Sequence, residues 1–411
     1  MRALMKFPDN IYYGYALSAF QSAFFWYAPW LLFLYQYISI SQAVILSAVG
    51  LLITIVAEVP TGAFSDLFGK KLSLQIAFLL VAIGEFATAF STDFSHFLIT
   101  WSVMSLGYCF SSGTLEAFMY DSLAEKNMDS RYPSVVSKLM VITNASTAFA
   151  SVLGGYIYSF WPAGIFILTG AMKVLGFAVC FFISEPQVDT QEYSLSAFVK
   201  QTRTGFKQLV RPHLIKISSL LLIYGSFMIV SYEILDDVAV VDWGYNEIQI
   251  GYLYAGLLFL SLPGGLIYTR VRKLMSPLKI VFGAALILML NYLFSPLITV
   301  SVWTTIFAFR VLYSPLKESA ISELLNTHTP SPIRATTLST YQLLRRLPFV
   351  LLFFPLSFLI ELDVKLFSSL FGASLLACLV VFVIWFWIGE KKDVGKEKLI
   401  FSDKQRASNN Y

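Results

Sequence analysis

Three acids, Glu233, Asp236 and Asp237, stand inside the apolar run "LLLIYGSFMIVSYEILDDVAVV". Spacings of three and four put Glu233 on one helix face with the two aspartates. Carboxylates held in an apolar run attract a cation or carry protons; the plainer reading is a solvated acidic helix end. Arg310 is a lone cation in the run "TTIFAFRVLY", with Lys317 and Glu318 beyond it. It would bind an anionic group in a cavity or pair with a buried acid. Glu85 and Lys173 also interrupt apolar runs, and each needs a partner or water. Glu58, Glu116, Arg345 and Arg346 fall toward the ends of their runs, where a salt bridge could close a gate. Glu116, Gln21 and Trp26 complete the candidate solute- or ion-binding set, with Tyr15 beside them, although aromatics in so aromatic a chain more often pack.

Other chemistries find little support. His96, His213 and His328 are far apart, and Cys109, Cys180 and Cys378 lie singly in apolar runs, so no metal site is expected. The stretch "GYLYAGLLFLSLPGG" is glycine-rich but apolar throughout, unlike the strand-to-helix turn that cradles phosphate. Without a P-loop, ATP hydrolysis is not expected. No nucleophile with its base stands out, so no catalytic residue, cofactor or enzyme activity is expected.

The elements that must position these residues follow from composition. Of 411 residues 57% are hydrophobic, 16% aromatic and 13% charged, and mean hydropathy is +0.69. This is a polytopic membrane protein whose partner is the lipid bilayer. The net charge of +4 is spread between apolar runs and not gathered in a stripe, which argues against nucleic acid. Twelve spans are predicted, at 11–35, 41–64, 71–91, 96–122, 136–160, 163–184, 215–240, 248–271, 277–297, 300–325, 336–360 and 366–389. Most of the 29 Lys and Arg fall in alternate loops on one side, Arg2 and Lys6 among them, while the opposite loops hold only Lys365. By the positive-inside rule both termini are cytoplasmic, in a plasma-membrane protein. The first apolar stretch is too long for a signal-peptide core. Trp161, Trp243 and Trp303 are expected in an outer aromatic belt.

The longest polar link divides the chain into a six-helix bundle (1–184), a linker (185–214), a second bundle (215–390) and a tail (391–411). In the linker Leu195, Phe198, Val199, Thr202, Phe206, Leu209 and Val210 share a helical face, which predicts an amphipathic helix on the membrane surface. The halves echo each other at a near-constant offset. Pro60 and Gly62 recur as Pro263 and Gly265, Glu116 and Asp121 as Glu318 and Glu323, and Arg131 as Arg334. They read as parallel repeats.

The loop "EVPTGAFSDLFGKK" makes the architecture specific. Gly62, Asp66, Gly69, Lys70 and Lys71 resemble the signature G-x-x-x-D-x-x-G-[RK]-[RK] of the major facilitator superfamily of secondary transporters. "SGTLEAFMYDSL" and "RATTLST" are also similar to bacterial members. The chain departs from the family at Val103, where many proton-coupled members carry Arg, and at "ASVLGG", which keeps only the paired glycines of an exporter motif. The resemblance implies an all-α fold of two six-helix bundles, alternating access, and a cavity lined by spans one, four, seven and ten, so that Arg310 would face it. It implies a monomer moving a small-molecule substrate, with protons as the candidate coupling ion. Efflux of a small amphipathic or cationic compound is favoured; uptake or uniport of a nutrient is the alternative, ahead of a membrane receptor or enzyme. On the residues themselves, Gly62 and Gly69 would allow close approach, Asp66 would cap span three, and Asp121 would pair with Lys70 or Arg131. This network is expected to latch the cytoplasmic side. Thr269 stands where a second Asp66 would be, so the latch is expected in one half only.

Overall fold

A computed structural model describes residues 9–186, 195–262, 264–330 and 333–408. No strand occurs among the described residues. Lipid offers the backbone no hydrogen bonds, so an apolar chain of this length satisfies its own peptide groups as helices. Arg2, Lys6 and Pro263 lie outside the described residues, as does 187–194 of the linker.

Span one comprises Asp9–Ser22 and Trp30–Leu34 with an unwound stretch between them. Spans two and three are Ile40–Phe68 and Lys70–Ala89, and span four is Phe94–Ser111 with Thr114–Ala124. Spans five and six are Tyr132–Phe160 and Gly164–Val179. Span seven runs through Ile215–Val230, a π-helical turn Ser231–Leu235, and Asp236–Asp242. Span eight is Glu247–Ser261 with Gly264–Leu274, span nine Pro277–Leu293, span ten Val300–Thr327 and span eleven Arg334–Leu362. Span twelve opens the helix Val364–Ser408, which continues through the segment expected to be a separate tail.

Six of these helices are each unbroken, long and apolar enough to cross a membrane unaided. The other spans fall short for local reasons. Spans one, four and eight are broken, spans six and nine have 16 and 17 residues, and span ten carries Arg310, Lys317, Glu318 and Glu323. Pro29 stands at the N-cap of the second piece of span one, where it has no N–H to give the carbonyl of Phe25 four residues back. Gly113, at φ +71°, makes the break in span four. Spans two and eight begin with the same reciprocal cap. Ser39 Oγ accepts from Gln42 N (3.3 Å) while Gln42 Oε1 accepts from Ser39 N (3.0 Å), and Asn246 with Gln249 repeats the pattern at 2.9 and 3.0 Å.

The halves meet chiefly along span five with span eight and span two with span eleven. Large apolar side chains such as Leu351 and Phe354 point outward, 73% and 70% exposed, as lipid contact requires. One expectation is corrected, and the linker helix gains a protein partner. Trp303 is fully buried against Trp243 and Phe307 and forms no part of an outer belt. The linker helix Leu195–Leu209 packs along span eleven, where Thr340 Oγ1 reaches Thr202 O (3.5 Å), and meets the end of span ten, where Gln208 Nε2 donates to His328 O (3.1 Å). Leu209 is buried in that contact; Phe206 and Val210 stay exposed. The apolar face is thus partly spent on protein, because Gly205 lets the backbones approach.

Candidate solute-binding cavity

The unwound stretch of span one frees backbone groups that neighbouring spans satisfy. Thr147 Oγ1 donates to Ser22 O (3.0 Å), and Phe25 N donates to Thr169 Oγ1 (3.0 Å). Lys173 Nζ donates to the carbonyls of Phe20 (3.0 Å) and Gln21 (2.6 Å). Held this way, residues 24–30 turn Phe24, Trp26, Tyr27 and Trp30 into a cavity of about 470 Å³ between the halves. That volume suits a small molecule.

Trp101 and Tyr108 of span four and Tyr232 and Tyr254 of the second half complete an aromatic wall. Glu233, Asp236 and Asp237 bring acid to it. Trp30 Nε1 donates to Asp237 Oδ2 at 2.9 Å, and the Tyr254 hydroxyl donates to the same carboxylate. Ser47 Oγ donates to the Glu233 carbonyl at 3.3 Å, leaving the Glu233 side chain on the cavity. The acids are therefore not a solvated helix end. They sit where span one and span seven, from opposite halves, meet.

Arg310 has the other fate its sequence allowed. It is 5% exposed, pairs with Asp236 at 2.5 Å, and donates to Ser231 Oγ (2.7 Å) and Tyr292 OH (3.3 Å). The Tyr292 hydroxyl also donates to Asp236. Arg310 edges, with Lys317, a smaller cavity of about 200 Å³ that adjoins the central one through Tyr27, Tyr232, Asp236 and Tyr254, and does not line the central cavity itself. The expectation that it faces the central cavity is corrected. Asp236 belongs to both cavities but is neutralised by Arg310, which leaves Glu233 and Asp237 as the central acids.

Arg346 of span eleven is the central cavity's cation, and it also lines a second space of about 400 Å³ toward the basic loops. It reaches across the halves to Glu58 of span two at 3.7 Å. Arg345 turns away, over the Tyr341 ring of its own half. Glu116 is exposed beside Tyr132, and Gln21 bonds Ser111 Oγ at 3.3 Å, so neither lines the central cavity. Tyr15 packs in the first half's core instead. Trp26 alone of the span-one candidates lines it.

A family model described as "Major Facilitator Superfamily" matches residues 11–353. The chain belongs to that superfamily. Solved transporters of the fold superpose on nearly all of it. A mutant form of the nucleoside transporter NupG gives a TM-score of 0.76 at 13% identity over 92% of this chain and 100% of that one. The peptide transporter POT in complex with sulfate gives 0.70 at 12% identity over 93% and 95%, and a D-xylose-proton symporter 0.63 at 15% over 90% and 95%. No curated protein sequence matches at a significant level. The protein is thus a transporter of the superfamily's two-bundle fold.

The superfamily signature is arranged otherwise than expected. Asp66 lies in the last turn of span two, and the N–H groups of Lys70 and Lys71 that open span three are taken by Glu185, at 2.7 Å each. Gly69, at φ +97°, makes the room: a Cβ there would stand 2.9 Å from that carboxyl carbon. Gly62 borders open space, so close approach is not its role. Lys71 Nζ donates to Ile183 O (2.7 Å), which ties the loop to the end of span six. Asp121 pairs with Lys70 at 2.7 Å, Asp66 lies near enough to act on both, and Arg131 stands at the N-cap of span five. The pair Lys70–Asp121 lies within the first half, and Lys70 with Asp66 lines the 400 Å³ space opposite Ser339, Gln342 and Arg346 of span eleven. The pair also has a counterpart. Arg272 and Glu323 pair at 2.9 Å at the matching place of the second half, with Tyr268 OH on Glu323 at 2.6 Å, which corrects the expectation of a single latch.

Sequence reasoning missed Trp30, Trp101 and Tyr254, whose residue type is too common here to stand out. It also missed Glu185, which a charge at the end of span six could have signalled.

Proposed function

We propose that this transporter expels a small amphipathic or cationic solute in exchange for protons. It would act as a monomer in the plasma membrane, with both termini and the basic loops cytoplasmic. The observation that carries the reading is the pairing of two acids, Glu233 and Asp237, with an aromatic wall drawn from both halves. Aromatic faces and carboxylates together favour an organic cation. A carboxylate that has bound the cation cannot also hold a proton. Competition for one pair of acids therefore makes the two cargoes alternate, and the free energy of protons entering drives the cation out. The far side is closed in this structure by spans five and eight, where Tyr156 OH and Tyr252 OH meet at 2.8 Å, and the 400 Å³ space lies toward the basic loops. That is the face from which an exported solute would be loaded.

Uptake is the second reading, favoured by the likeness to nucleoside, peptide and xylose transporters. Proteoliposomes with a lumen-acidic proton gradient separate the two. The expected result is gradient-dependent accumulation of tetraphenylphosphonium, reduced at least about tenfold by Asp237→Asn or Glu233→Gln. Immobility of that cation, with uridine, a dipeptide or xylose moving in the same direction as protons, would establish uptake instead.

A further inference from the structure

Glu85 of span three and Lys173 of span six are 0% and 1% exposed, and neither lines the central cavity. Each is an opposite charge acting on the other, yet their hydrogen bonds go elsewhere. Lys173 Nζ is spent on the carbonyls of Phe20 and Gln21, where the first helix of span one ends, and lies 4.0 Å from the centre of the Phe24 ring. Glu85 Oε1 accepts from Trp26 Nε1 at 2.8 Å and from Tyr108 OH at 3.2 Å. Phe24, Trp26 and Tyr108 are all residues of the cavity wall. Three wall rings are thus held from behind by two charges that the solute never touches.

We infer that Glu85 and Lys173 are positioning residues for the transported solute: together they fix the unwound stretch of span one and the orientation of Trp26 and Tyr108. Stability alone is a poor reason for the pair. Apolar residues of similar volume commonly replace a buried ion pair without loss. Moreover Glu85 Oε2 is buried with no hydrogen-bond partner, an arrangement that costs free energy. What a carboxylate and an ammonium add is direction. They specify which way an indole N–H, a phenol and two carbonyls point, and an apolar pair cannot.

The inference rests on the central cavity being the solute site. Two charge-neutral double variants test it, because either single apolar substitution strands the other charge and endangers folding. Glu85→Leu/Lys173→Met removes both charges and the acceptor for Trp26; Glu85→Gln/Lys173→Met keeps a neutral acceptor. The first is expected to fold, to raise KM for tetraphenylphosphonium about tenfold and to leave kcat within about twofold, as loss of one or two directed hydrogen bonds would. The second is expected to recover only part of that loss, leaving KM about threefold above the parent, the remainder being what Lys173 contributes by holding the Phe20 and Gln21 carbonyls; a fully parental KM would remove Lys173 from the inference. Acrylamide quenching of Trp26 is read as the difference between each protein and its Trp26→Phe version. It is expected to rise in the Leu/Met variant and not in the Gln/Met one. Folded variants indistinguishable from the parent in both KM and Trp26 quenching would overturn the inference. A parent that does not bind tetraphenylphosphonium removes the proposed solute class instead, and quenching then decides this inference alone.

Discussion

Asp236 and Asp237 are neighbours in the chain with opposite duties. Asp236 neutralises Arg310 at 2.5 Å in the second half's interior, while Asp237 meets Trp30 across the halves. The π-helical turn Ser231–Leu235 lies directly before them. One extra residue in a turn rotates everything after it relative to a regular helix, a feature that hydrophobic spacing does not announce. A stability test separates the two. Arg310→Met leaves Asp236 buried without a countercharge and is expected to destabilise by about 3–5 kcal/mol, whereas Arg310→Met/Asp236→Leu is expected to be near neutral. The double variant should keep proton-driven flux that Asp237→Asn loses, with thermal unfolding in detergent and flux as the two measurements. The acids and Arg310 were legible because a charge in an apolar run is conspicuous. Which one is spent on structure was not, since that depends on partners some 74 positions away.

At the scale of elements, the paired glycines of "ASVLGG" serve two different approaches. A Cβ on Gly154 would stand 1.8 Å from the carbonyl oxygen of Phe25, the group that Pro29 leaves without a helical donor. A Cβ on Gly155 would stand 2.5 Å from Glu247 O at the start of span eight, and Gly251 faces Ser151 O in return at 2.6 Å. Span five therefore seats the unwound span one on one side and the opposite half on the other. Gly155→Ala is expected to force spans five and eight apart at a cost of about 1–3 kcal/mol, loosening the closed far side. Cross-linking between cysteines at positions 156 and 252 should then fall several-fold without loss of the folded protein; unchanged cross-linking would mean that the seam has slack. Span positions were readable to within a few residues because lipid imposes length and apolarity. The breaks in spans one and four were not, because helix-breaking residues inside a membrane are tolerated wherever neighbours rescue the backbone.

The molecule as a whole is two similar halves that invest unequally in the same device. Lys70–Asp121 has side chains 9% and 14% exposed, whereas its counterpart Arg272–Glu323 has 42% and 30%. Water screens the second pair far more. Lys70→Met is expected to cost about 3 kcal/mol and Arg272→Met under about 1 kcal/mol, so the first should melt at clearly lower temperature. Equal melting temperatures would show the two pairs to be energetically alike. The repeat itself was legible in the offset of Glu116 and Asp121 to Glu318 and Glu323. The partner Arg272 stands at that same offset of about 202 from Lys70 and was missed because the comparison of the loops was anchored on Asp66, which Thr269 replaces.

Arg346 borders both the central cavity and the space toward the basic loops, and bonds Glu58 on the opposite half. A fixed positive charge that lines both spaces is also an electrical insulator between them. It repels a proton or metal cation trying to pass without cargo, much as charged constrictions exclude ions in pores. The transporter would thereby spare the membrane potential that powers its neighbours. Arg346→Ala in sealed liposomes is expected to raise passive proton leak several-fold with no solute present, measured by a lumenal pH dye. A leak equal to that of the parent would place the seal elsewhere.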